Sequence, residues 1–168
     1  MEYDRADKEV AEMSKIKVNE QRAVDEFQEL TAIDAPSFGE RQMADRLIVK
    51  LKELGFEVEE DNAGKHFGGN LYAYLPGDLP GDPVLLSGHM DTVEPSKGKK
   101  GIIGEDGVIR SAGKAVLGAD DVAGLVEILE GIHSVKEAGV PHRDIEILFT
   151  IAEELYIKGS SVFDFSKV

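Results

Sequence analysis

Two hydrophobic periods alternate along this chain, and that alternation restricts it to a layered α/β fold. Val24, Phe27, Leu30 and Ile33 recur every three residues with Ala23 on the same side, which makes one apolar helix face beginning near Asn19. Asp34-Ala35-Pro36-Ser37 ends it, because proline disfavours helix in the residue before it. A second helix is expected from about Glu40 to Leu54, with Met43, Leu47, Leu51 and Leu54 as its stripe and Gly55 suited to the position after its end. The period then shortens. Phe56 and Val58 alternate with acidic residues as in a short strand, and Leu71–Leu75 (LYAYL) forms another before Pro76-Gly77-Asp78. Pro83-Val84-Leu85-Leu86-Ser87 is a short apolar run, the pattern of a buried strand. Residues 95–119 are rich in Gly and Lys, with a hairpin expected around Glu105-Asp106-Gly107. Asp120 to about Ala138 carries Val122, Leu125, Leu129, Ile132 and Val135 on one side of a long helix, and Asp144–Ile151 (DIEILFTI) is the last strand. Helices alternating with strands predict an α/β domain with a mixed or largely parallel sheet.

Composition narrows the function classes. A chain of 168 residues suits one domain, with residues 1–17 as a charged, weakly patterned lead-in and 18–168 as the folded part. The 19 basic residues against 33 acidic ones, a net charge of −14, argue against nucleic-acid or anionic-membrane partners. With no cysteine there is neither a thiol nucleophile nor a Cys-ligated zinc site. The charged start Met1-Glu2-Tyr3-Asp4-Arg5 does not read as a signal peptide, and no run approaches the roughly 18 apolar residues of a membrane helix. The expectation is a soluble cytoplasmic protein.

Three places put ionisable residues where a regular element begins or ends: His89-Met90-Asp91 after PVLLSG, Asp120-Asp121 at the start of the long helix, and Glu153-Glu154 after DIEILFTI. In open α/β sheets, sites form beyond the carboxyl ends of the strands, so these segments could meet. Each has a plain reading beside the chemical one. His89-x-Asp91 can be a turn, or a metal-bound imidazole with the carboxylate that fixes its tautomer. Asp120-Asp121 can cap a helix, or place a carboxylate between two cations about 3.5–4 Å apart. Glu153-Glu154 can open a polar loop, or supply one metal ligand and one general base. His66, His133 and His142 read as bystanders.

Taken together, Ser87-Gly88-His89-Met90-Asp91-Thr92-Val93, Leu117-Gly118-Ala119-Asp120-Asp121-Val122-Ala123-Gly124 and Thr150-Ile151-Ala152-Glu153-Glu154 resemble the M20 metallopeptidase family in letters, order and spacing, and within it the tripeptide aminopeptidase (peptidase T) branch. Asn19–Phe27 and Ile33–Ser37 look like the start of that branch, so the likeness runs from about residue 18 onward. It implies a three-layer mixed sheet flanked by helices, of the zinc-dependent exopeptidase type. It implies His89 on one zinc, Asp120 bridging two, Glu154 on the other, Glu153 as general base and Asp91 orienting His89. A cis peptide at Asp120–Asp121 is implied as well. The activity implied is removal of the N-terminal residue from short peptides such as tripeptides, with two zinc ions or with cobalt or manganese in their place.

The chain also departs from that pattern. The family usually has a glycine two residues after the metal-binding glutamate, where this chain has Leu155-Tyr156-Ile157-Lys158-Gly159. Family members are more than twice as long, with an inserted lid or dimerisation domain, a further acidic ligand and a late histidine that have no counterpart here. The chain therefore corresponds to the N-terminal part of a catalytic domain, with two protein ligands per zinc against the three of an ordinary catalytic site. Weak metal binding and no peptide turnover are expected of it alone. A noncatalytic half-domain that binds peptides or partners is the alternative, and an open sheet edge would favour a homodimer.

Overall fold

The computed structural model describes residues 13–64 and 68–168; most of the expected lead-in, and His66, lie outside them. Helix α1 is Glu20–Thr31, with the Asn19 side chain accepting the Arg22 N–H (3.0 Å) as its cap. Helix α2 is Arg41–Glu53. It ends as the sequence predicts: Gly55 takes φ +89°, its N–H reaches the Lys52 carbonyl, and the Phe56 N–H reaches that of Leu51. This pair of bonds satisfies carbonyls the helix end would otherwise leave free. Strands β1 (Glu57–Glu60), β2 (Leu71–Leu75), β3 (Val84–His89), β4 (Gly101–Ile103) and β5 (Ile109–Ser111) follow, then helix α3 (Ala119–Ala138), strand β6 (Ile145–Thr150), the short helix α4 (Lys158–Val162) and a 3-10 turn at Phe165–Lys167. Strands β4 and β5 form the expected hairpin.

The main sheet has the order β1-β2-β6-β3. It is mixed, but only β3 and β6 run parallel; the β1–β2 and β2–β6 ladders are antiparallel. Residues opposed across a ladder project to the same side. Leu71, Ala73 and Leu75 therefore share one face with Phe149, Ile147 and Ile145, and with Leu86 of β3. That face is packed against Met43, Leu47 and Leu51 of α2 and Leu125 and Leu129 of α3, with Leu30 of α1 in the same core. The other face carries Tyr72, Leu148 and Leu85. Its cover among the described residues is the segment around α4: Phe163 lies 6.1 Å from the Tyr72 ring and Phe165 meets Phe163 edge-on at 5.1 Å. The chain is thus a mixed sheet flanked by helices, with the long helices on one side.

Two expectations are corrected. The apolar run Pro83–Ser87 is not a buried strand. Strand β3 lies at the sheet edge, and Leu85 is 38% exposed. The strand enclosed on both faces is β6, where every residue from Ile145 to Thr150 is buried. Composition alone could not rank the two runs, because burial depends on neighbours drawn from elsewhere in the chain. The regular part of α3 also starts later than Asp120, since Asp120 (φ −89°, ψ 103°) and Asp121 (φ −119°, ψ 28°) are non-helical.

Candidate metal centre

Parallel pairing of β3 with β6 sets His89 opposite Thr150. The strands therefore end side by side, and His89-Met90-Asp91 and Ala152-Glu153-Glu154 leave the sheet at the same carboxyl end, with the Met90 N–H on the Thr150 carbonyl (2.8 Å). Helix α3 brings in the third segment. Asp121 lies over β3 and its Oδ2 accepts the His89 N–H (3.2 Å). This fit depends on two glycines: a Cβ on Gly88 would sit 2.8 Å from Asp121 Oδ2, and one on Gly124 would sit 2.3 Å from its Oδ1. With Asp121 held inward, Asp120 projects out toward His89. The Asp120–Asp121 peptide is cis, as the resemblance implies.

His89, Asp120 and Glu154 each place one ligand atom so that all three lie within 4.8 Å of one another. The His89 Nδ1 bonds the Asp91 backbone carbonyl (2.9 Å) and lies 3.4 Å from its Oδ1; Nε2 faces Asp120 Oδ1 at 3.0 Å and Glu153 Oε2 at 3.9 Å. One imidazole nitrogen is thus used for orientation and the other points at the acids. Burial alone would depress the His89 pKa, but the hydrogen bonds to Asp91 and Asp120 outweigh it and hold it up to about 9. Without a cation the ring carries a proton there, which a metal ion would displace. Burial, followed by the charge of Asp120, raises the Glu154 carboxyl above its ordinary range. One nitrogen and two carboxylates, crowded and short of positive charge, make a donor set suited to zinc or a similar divalent ion.

Asp91 does more than orient the imidazole. It is fully buried, its Oδ1 accepts the Glu153 N–H (2.9 Å), and its Oδ2 accepts the Ser37 hydroxyl (2.6 Å) and the Glu154 N–H (3.2 Å). Burial works against its charge, but those bonds and His89 hold its carboxyl below the usual range. The sequence does not single out Glu40 or Lys99, and it marks Asp121 only as the second member of the Asp120-Asp121 doublet. Glu40 stands just before α2, where an acid reads as ordinary helix-start chemistry. Lys99 is buried and donates to Thr92 Oγ1 (2.9 Å), and burial lowers its pKa; in sequence it is one lysine among several in a Gly/Lys-rich stretch. His133 lies well along α3 and His142 in the loop before β6, and neither belongs to the ligand group found among the described residues.

Comparison with known proteins agrees with this geometry. The model of peptidase family M28 matches residues 70–165, which include all three ionisable segments. The structure resembles a tripeptidase from Staphylococcus aureus (TM-score 0.86, 36% identity) and the aminopeptidase PepT from Bacillus cereus (TM-score 0.85, 38% identity), each over 90% of this chain and 41% of the other. The sequence is 37% identical to the uncharacterised protein YqjE of Bacillus subtilis, again over 90% of this chain and 41% of the relative. The chain therefore spans about two fifths of the length of the relatives it matches. No helix among the described residues is long and apolar enough to cross a membrane. With the family match extending across the ligand cluster and the fold shared with PepT, the chain belongs to peptidase family M28 as a peptidase-T-like member covering part of a domain.

Proposed function

We propose that this chain supplies the N-terminal part, residues 18–168, of the active site of a metal-dependent aminopeptidase acting on short peptides, tripeptides among them. The observation that carries the reading is the convergence of His89, Asp120 and Glu154 at the ends of β3, α3 and β6. The likeness to a tripeptidase and to the aminopeptidase PepT supports the substrate class; the M20-type assignment rests on the motifs and is a different family from the M28 model that the chain matches.

His89 and Asp120 would hold one ion, and Asp120 and Glu154 a second, zinc in each case. A bound divalent cation would polarise the scissile carbonyl and bring the pKa of water from 15.7 toward about 7. Glu153 projects beside this cluster, its Oε2 3.9 Å from His89 Nε2. Its role is to take the proton from the attacking water and return it to the leaving amine. Asp91 holds His89 in one tautomer and fixes the backbone that presents Glu153. A cleft of about 290 Å³ opens beside Glu154, walled by Pro36, Thr92, Val93, Glu94 and Leu155, and gives a peptide side chain a partly apolar place to rest.

Two ligands per ion leave each site short of the usual three, so the 168-residue chain by itself is expected to bind zinc weakly and turn over little peptide. The direct test is Glu153→Gln in the active protein that carries this sequence. Tripeptide hydrolysis should fall by about 10²-fold or more with metal content unchanged, and full activity in that variant would remove Glu153 from the mechanism.

A further inference from the structure

The doublet Glu153-Glu154 is preceded by Ala152, which takes φ +48°, a left-handed conformation unusual for a residue with a side chain. Phe38, in the turn before α2, does the same at φ +61°. Both residues donate their N–H to one atom, Oε1 of Glu40, at 2.9 Å each. Glu40 occupies the position before α2 but makes no side-chain cap to its own helix. It is fully buried, makes no ion pair among the described residues, and its Oε2 has no hydrogen-bond partner. A buried carboxyl with an idle oxygen is costly to keep, and the one thing this side chain visibly does is join two left-handed turns.

The bonds continue along the chain. The N–H of Ala152 goes to Glu40, that of Glu153 to Asp91 Oδ1 and that of Glu154 to Asp91 Oδ2. Consecutive amides are thus held by two buried acids, and the side chains of Glu153 and Glu154 are left free to point into the cluster. We infer that Glu40 is a positioning residue: by fixing Ala152 in its left-handed turn it sets the direction in which Glu153 and Glu154 leave β6. This rests on the metal-site reading for the consequence, though not for the hold on the turn.

Two measurements on the 168-residue chain test it. One is zinc affinity by calorimetry with zinc chloride. The other is amide exchange by NMR on the metal-free protein. Glu40→Ala removes the acceptor, whereas Glu40→Gln keeps an oxygen able to receive both N–H groups. The expected result is zinc binding about tenfold weaker in E40A, with amide exchange about tenfold faster at Ala152 and Glu153, unchanged at Ile147 and Leu47, and both quantities near wild type in E40Q. Wild-type affinity and exchange in a folded E40A would overturn the inference, as would E40Q behaving like E40A. Should E40A fail to fold, Glu40→Asp takes its place, since it keeps the acid but falls short of Ala152, and is read in the same way. If the unsubstituted chain binds zinc too weakly for calorimetry, as two ligands per ion allow, the metal-site reading is judged by Glu153→Gln in the active protein, and the inference stands or falls on exchange at Ala152 and Glu153.

Discussion

Replacing Asp91 with asparagine changes almost no volume and tests the centre at its most connected atom pair. The carboxylate accepts from Glu153 N–H, Glu154 N–H and the Ser37 hydroxyl while fully buried. An amide offers one oxygen and one NH₂. Whichever way it turns, one of the two backbone N–H groups faces another donor. A hydrogen bond to a charged acceptor contributes about 1.5–3 kcal/mol, and the remaining bond weakens when the charge is gone, so D91N should cost about 2–4 kcal/mol. In a chain of this size that lowers Tm by about 5–15 °C. The loss also has a pH signature. His89 is raised to about 9 in the folded chain, so the stabilisation it gains from Asp91 and Asp120 is complete below about 6.5 and disappears as pH rises through about 9. With metal chelated, D91N should therefore be penalised more at pH 6 than at pH 9.5, and the His89 titration followed by NMR should move down toward its ordinary range. Thermal unfolding of both proteins at the two pH values is the assay. Equal Tm values for D91N and wild type, with His89 titrating as before, would show that Asp91 neither anchors the glutamate turn nor charges the imidazole.

Arg22 joins α1 to α3 through Glu130, whose side chain is only 4% exposed (Nε to Oε2, 2.6 Å), so R22A should cost about 2–3 kcal/mol by urea unfolding; adding Glu130→Gln should recover part of it, and a change below about 0.5 kcal/mol would mean the pair is idle. Burial works against the Glu130 charge, but Arg22, the Asn19 amide and Ser134 hold its carboxyl below the usual value. Its contribution is therefore present above about pH 4.5 and lost as pH falls through the lowered value, and wild type should lose stability more steeply on acidification than R22A. Gly159→Ala should destabilise by about 2 kcal/mol or more in urea, because the new Cβ would lie 2.2 Å from the Ile151 carbonyl oxygen and 2.5 Å from Asn70 Oδ1. Gly113→Ala, with nothing within 4 Å, is the control and should shift the midpoint little.

Local chemistry set the elements of this protein. The stripes of α2 and α3 recur at helical spacing because one side of each helix meets apolar neighbours, and Gly55 ends α2 because only a residue without a Cβ takes φ +89° freely. The three ionisable segments were legible for a related reason: charge placed directly after an apolar strand needs a compensating partner. Sequence could not say which strands adjoin. That β6 lies inside the sheet and β3 at its edge, that their parallel ends put His89 beside Thr150, and that Glu40 reaches across to Ala152 all follow from long-range pairing. Pairing depends on the shapes and free edges of segments distant in the chain, and no window of neighbouring residues contains that information.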